Sequence, residues 1–264
     1  FGAPFDPSAN HTMTFLAGGA TLDTQANNIT LDNAIGNGGA GELTKDGNGS
    51  LILNASPTYK GATIINNGTL QLGSPGSGVT LPTTTSVNLI SSSGATLDTS
   101  GNSQTIASLL GLAGEVKLGN GTLTTGSDNI STTFAGTLSG STGGSLTKVG
   151  TGTFTLTGEI SYGGVTAINA GTLKINNNLS TTLNAISGAG ALTVDGASTV
   201  LNASSINVDT LTIGAGAKVT LTQLLGDGSE KVIIPVPEPS LITLIGSTAL
   251  GMIAYAWRRR KLAL

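Results

Sequence analysis

The side chains able to do acid–base, metal or nucleophile chemistry are few and far apart. There is one histidine, His11, and no cysteine. That excludes two-histidine metal sites, thiolate metal sites, iron–sulfur clusters, disulfide scaffolds and cysteine nucleophiles. Aspartates are scattered, among them Asp23, Asp32, Asp46, Asp98, Asp128, Asp195, Asp209 and Asp227, with no adjacent pair and no arginine near them. A carboxylate pair for general acid–base work would need distant aspartates to converge. Asp23 and Asp98 hold the same place in two copies of the hexapeptide GATLDT, at 19–24 and 94–99. A short carboxylate at a turn accepts a hydrogen bond from the backbone two residues on, so turn capping is their expected role. Asp227-Gly228-Ser229-Glu230 lacks the third oxygen ligand of an EF-hand loop. No metal site and no cofactor is expected.

Lys45 with Tyr59, and Lys148 with Tyr162, recur at the same 14-residue separation. Read as binding chemistry, the two tyrosines are stacking platforms of a sugar-contacting stripe with the lysines beside them. Read as structure, each tyrosine caps a core at a corner of the chain's path, with the lysine near it as a cation–π partner.

The elements that must position these groups are short. Charged residues are 9% and aromatics 3%, while 40 of the 264 residues are glycine. Between about residue 15 and residue 234 the chain is built of apolar–polar–apolar triplets such as Leu51-Ile52-Leu53, Leu70-Gln71-Leu72, Phe154-Thr155-Leu156 and Leu211-Thr212-Ile213. Alternation over such brief windows is the mark of half-buried strands. All three arginines and one lysine sit together at Arg258, Arg259, Arg260 and Lys261, which leaves seven lysines against 14 acidic groups elsewhere. A body so poor in cations has no face for displacing counterions from phosphates, so nucleic acid is excluded as a partner.

The body repeats. Residues 43–73 lie over 146–176 without a gap, and 14 of those 31 positions are identical, among them Lys45/Lys148, Tyr59/Tyr162 and Gly68-Thr69-Leu70/Gly171-Thr172-Leu173. A weaker copy spans 188–204. Within one copy Leu51 and Leu70 are 19 residues apart, a plausible single coil. The pattern resembles the autotransporter-associated β-strand repeat, and that resemblance implies a right-handed parallel β-helix. About 220 residues then make on the order of ten coils stacked at ~4.8 Å. The outer-membrane barrel that usually accompanies such repeats is not expected here, because the chain ends in an apolar run rather than in alternating segments of ~10 residues.

The last forty residues carry the clearest signal. Leu241 to Trp257 contains no charge, and as a helix its 17 residues span ~26 Å, close to a bilayer core. The basic cluster Arg258–Lys261 follows, which places the body outside and the tail inside. Before the run stands Pro235-Val236-Pro237-Glu238-Pro239, whose prolines enforce an extended chain. Val236-Pro237-Glu238-Pro239, apolar run and basic cluster in that order resemble the PEP-CTERM sorting signal of Gram-negative bacteria. The resemblance implies an inner-membrane intermediate, processing by an exosortase-type membrane protease, and delivery to the cell surface or the extracellular polysaccharide. Phe1 and the residues after it do not form an export leader, so a fragment or a mature form is expected.

The expected architecture is thus all-β. It comprises an N-terminal remnant over 1–14, a β-solenoid over 15–234, a proline-rich linker over 235–240, and one transmembrane helix with a basic tail over 241–264. The expected function is that of a non-enzymatic structural or adhesive solenoid associated with extracellular polysaccharide. The alternative is a polysaccharide-binding or polysaccharide-degrading β-helix on the same signal. β-Helical pectate lyases and polygalacturonases need clustered aspartates with a basic residue such as arginine, whereas here the aspartates are scattered in sequence with no arginine near them.

Overall fold

A strand that alternates apolar with polar residues has one face to bury, and a chain of such triplets covers those faces by stacking them. The computed structural model describes residues 6–90, 94–221, 232–235 and 242–245, and among these the regular elements are all strands, with no helix. They wind into a parallel β-solenoid with three faces.

Face I holds ten rungs among the described residues. They are Ala20–Asp23, Leu43–Asp46, Thr63–Ile65, Ser86–Leu89, Ser108–Gly111, Thr132–Phe134, Thr153–Leu156, Thr172–Ile175 and the second halves of Ile186–Val194 and Ile206–Ile213. At ~4.8 Å per rung the stack is roughly 43 Å long. Face II runs from Ile29–Leu31 through Ser50–Leu53, Thr69–Leu72, Thr96–Asp98, Glu115–Lys117 and Thr137–Ser139 to Ile160–Ser161. Ser180–Leu183, Val200–Ala203 and Lys218–Leu221 continue that side. Face III begins at Gln104–Thr105 and continues through Thr122–Thr125, Ser145–Lys148 and Thr166–Ile168 into the first halves of Ile186–Val194 and Ile206–Ile213. A register shift between Gly188 and Ala191 lets Ile186–Val194 serve faces III and I in turn.

The expected 19-residue coil is present, since Leu51 is the register partner of Leu70. Coil length is not constant, however, because Leu70 pairs with Leu97. Inward residues of face II form one buried column of Leu51, Leu70, Leu97, Val116, Leu138 and Ile160. Burying each such side chain contributes roughly 1.5–3 kcal/mol.

The longer coil accommodates Pro75–Pro82, and the rod is continuous there. Val79 and Leu81 are buried, and face I passes from Thr63–Ile65 to Ser86–Leu89 without a break. Two buried amides from the next coil hold the segment. Asn102 donates to the carbonyls of Leu72 and Ser74 and accepts from the Gly78 N–H; Gln104 donates to the Val79 carbonyl and accepts from the Leu81 N–H. Among the described residues face III has no strand before Gln104, so these side chains stand in for the missing rung.

The named strands from Ala20 to Leu221 pair in parallel, but the two that follow do not. Val232–Pro235 lies antiparallel on Lys218–Leu221, and Ile242–Ile245 lies antiparallel on Thr210–Ile213. Pro235 suits such a position, because an outermost strand has one side that needs no N–H. Within the apolar run expected as a membrane helix, Ile242–Ile245 is therefore a strand, where its β-branched residues find a sheet edge to pair with. The remainder of that run, Val236–Pro239 and Arg258–Lys261 lie outside the described residues.

Candidate functional site

The chemistry-bearing residues of the repeat gather at the corners between faces. Register puts Lys45 inside a core column of face I, between Leu22 on one coil and Ile65 on the next, and it is 0% exposed. Its stem fills a core place while its ammonium reaches the corner, as long cationic side chains do. There it donates to the carbonyls of Asp46 at 2.8 Å, Gly47 at 2.7 Å and Asn67 at 2.9 Å. Two acceptors belong to the turn of its own coil and the third to the same turn one coil on. An ammonium has three donors, and all three are used. Lys148 repeats the arrangement with Val149, Gly150 and Ala170. Burial pulls Lys45 down to about 8, opposed by Asp46 and Asp23. Burial lowers Lys148 as well, opposed by Asp128.

The tyrosines close other corners. Tyr59 is 1% exposed, and its hydroxyl shares a hydrogen bond with Thr63 Oγ1 at 2.6 Å. Thr63 Oγ1 meets Thr85 Oγ1 at 3.0 Å. The Tyr59 ring stacks on Phe15 with centroids 5.6 Å apart. Tyr162 shares the equivalent bond with Thr166 at 2.6 Å. Burial raises both phenols above their ordinary range.

This placement puts the four residues of the sugar-contact reading, Lys45, Tyr59, Lys148 and Tyr162, in the core. Rings sealed in the core offer no face to a sugar, and the ammonium groups are committed to carbonyls. It also removes the cation–π pair, because Lys45 ends at the corner after face I and Tyr59 at the corner before it. The two copies do not even share a face. Lys45 and Leu51 lie on faces I and II, whereas Lys148 and Phe154 lie on faces III and I.

The aspartates cap turns as expected. Asp23 accepts from the Gln25 N–H and Asp98 from the Ser100 N–H, each at 2.7 Å, and Gln25 and Ser100 both have φ of 52°. Asp46 accepts from the Gly47 N–H and from the Asn67 amide, which hold its carboxyl below the usual carboxylate range. Lys174 and Asp195 pair across neighbouring coils at 2.7 Å, and this contact lowers Asp195. Among the described residues no three histidine, aspartate or glutamate side chains converge to hold a metal ion. Sequence reasoning missed Asn102 and Gln104, whose only signal was an amide pair in the second GATLDT copy's wake, beside a coil of unusual length.

The outward positions are mostly hydroxylated. On face I, Thr21 is in register with Thr44, Thr133 with Thr155, Thr153 with Thr172, and Thr193 with Thr212. Cross-strand threonine pairs of this kind stabilise a sheet without charge.

Both sequence signals are found again by comparison with known proteins. Residues 43–72 and 146–175 match the passenger-associated-transport-repeat, and residues 235–261 match the PEP-CTERM protein-sorting motif. The chain is similar to the adhesin BmaC autotransporter of Brucella suis biovar 1 (strain 1330), at 40% identity over 144 residues. That stretch is 52% of this chain and 4% of the adhesin, so the chain spans a small part of its relative's length. No solved structure matches it. This chain is a parallel β-solenoid with two passenger-associated-transport repeats and a carboxy-terminal PEP-CTERM protein-sorting motif.

Proposed function

We propose that this chain is an exported, surface-displayed solenoid with an adhesive or structural role and no enzymatic one, in contact with extracellular polysaccharide. The observation that carries the reading is the junction of a sorting motif over 235–261 with a rod whose repeat lysines and tyrosines are buried at its corners. A rod that spends Lys45, Lys148, Tyr59 and Tyr162 on its own stack keeps hydroxyl rows for its surroundings, and many weak hydroxyl contacts along a stiff surface suit avidity for a repetitive polymer. The similarity to an autotransporter adhesin supports the adhesive part. The sorting motif supports export, an inner-membrane intermediate held by the apolar run, and an exosortase-type enzyme as processing partner, acting at Val236-Pro237-Glu238-Pro239.

Two measurements test this. Removing residues 236–264 should release the protein from the cell surface into the medium, and continued attachment counts against the sorting role. Incubation with bacterial exopolysaccharides should give retention without new reducing ends; turnover of any polymer ends the non-enzymatic reading.

A further inference from the structure

We propose that the carboxy-terminal edge of face I, Thr210–Ile213, is a strand-accepting interface. The sorting segment covers it in cis, and a second copy of this chain covers it once that segment has left. The proposal deepens the sorting reading, on which it rests only for the event that removes the segment.

The edge differs from every rung before it. Ile242–Ile245 pairs with it antiparallel, with Ile242 opposite Ile213, Thr243 opposite Thr212 and Leu244 opposite Leu211. Leu211 and Ile213 are 4% and 0% exposed with the cap in place. They belong to the last rung of their face, so removing the cap brings water to their flank together with a row of unpaired backbone groups.

The cap cannot be permanent if the tail is processed. It lies inside the sorting motif, and the same residues open the uncharged run that fits a bilayer. A residue cannot span lipid and pair with Thr210–Ile213 at once. Pro237-Glu238-Pro239 stands between the two capping strands. A cut there leaves Val232–Pro235 on face II and detaches Ile242–Ile245 from the body, so face II stays covered while face I opens.

What covers it next is written in the edge itself. The cap presents apolar–Thr–apolar as Ile242-Thr243-Leu244, and the edge carries the same pattern as Leu211-Thr212-Ile213. An antiparallel pair of identical strands is what a two-fold axis generates. With Thr212 opposite its own mate, Leu211 of one copy falls opposite Ile213 of the other. Each apolar residue of one edge then stands in register with an apolar residue of the other.

The test uses the full chain with a specific protease site placed between Pro239 and Ser240. It is cut beside phosphatidylcholine–phosphatidylglycerol vesicles that take up the apolar fragment, and the vesicles are then spun out. Light scattering should report one copy before the cut and a doubled mass after it. Thr212→Lys should return the cut body to one copy, because like charges directly opposite repel, while its β-sheet circular dichroism is unchanged. A cut body that stays single overturns the proposal. So does an open series of higher masses, which signifies head-to-tail stacking, or a dimer that Thr212→Lys leaves intact. No exosortase enters the experiment, so failure of the sorting reading would show only in the surface-release measurement.

Discussion

Replacing Gly49 by alanine tests how closely the coils approach at the corner that Lys45 staples. A Cβ at Gly49 would stand 1.8 Å from the Asn27 carbonyl oxygen and 2.5 Å from its carbon, both backbone atoms of the preceding coil. Real Cβ contacts essentially never fall under 3.0 Å, so the turn must retreat by about 1.2 Å. That retreat breaks two bonds between the coils, from the Gly49 N–H to the Gln25 carbonyl at 2.8 Å and from the Ser50 N–H to Asn28 Oδ1 at 3.0 Å. Two lost bonds and the groups they strand cost roughly 2–5 kcal/mol. Gly152 holds the equivalent place in the second copy, where a Cβ meets the Ile130 carbonyl oxygen at 2.5 Å. The retreat is smaller there, and the expected cost is about 1–2 kcal/mol. Gly38, with φ of 68° and nothing within 4 Å, bears only the left-handed strain of a Cβ, about 1–2 kcal/mol. Urea unfolding followed by circular dichroism ranks the three. If Gly49→Ala is no more costly than Gly38→Ala, the close stacking argued for this corner is wrong.

Other outcomes follow from the same corners. Lys45 has a folded value of about 8 against an ordinary 10.5. Between those values the unfolded chain holds a proton that the folded chain has released, so stability rises with pH across that window. The raised tyrosines act oppositely: their contribution is present below pH 10 and lost above it, so the unfolding midpoint should rise from pH 8 and peak near pH 10. Lys45→Met should flatten the rise, and an unchanged profile would refute the buried ammonium. Asp23→Ala and Asp98→Ala should each cost about 1 kcal/mol by loss of a turn cap, while Asp209→Ala, at an exposed strand position, should be near neutral in the same titration.

Much of this architecture was legible in the sequence because a solenoid is read locally. Each triplet such as Leu70-Gln71-Leu72 declares its own buried side, and the Leu51–Leu70 spacing stated the length of that one coil directly. The turn role of Asp23 and Asp98 was legible for the same reason, since the bond spans two residues. Lys45 was not, because what fixes its role is a place between Leu22 and Ile65, set by register with two other coils. A lysine at the end of an apolar triplet looks alike whether its head ends in water or at three carbonyls. Asn102 and Gln104 escaped for a related reason: their partners lie 23 to 30 residues back, in a segment whose length departs from the repeat. The antiparallel pairing of Ile242–Ile245 was hidden because an uncharged run reads as a membrane span when no edge is in view.

The rotation of the second repeat by one face relative to the first has a bearing on how such rods grow. Copying a block of this length would lengthen the shaft and also swivel whatever lies beyond the new joint, so a binding surface at the tip would point toward a different neighbour relative to the tether. Gene duplication in this scaffold therefore sets aim as well as reach, and two variants differing by a single block would point their tips about a third of a turn apart.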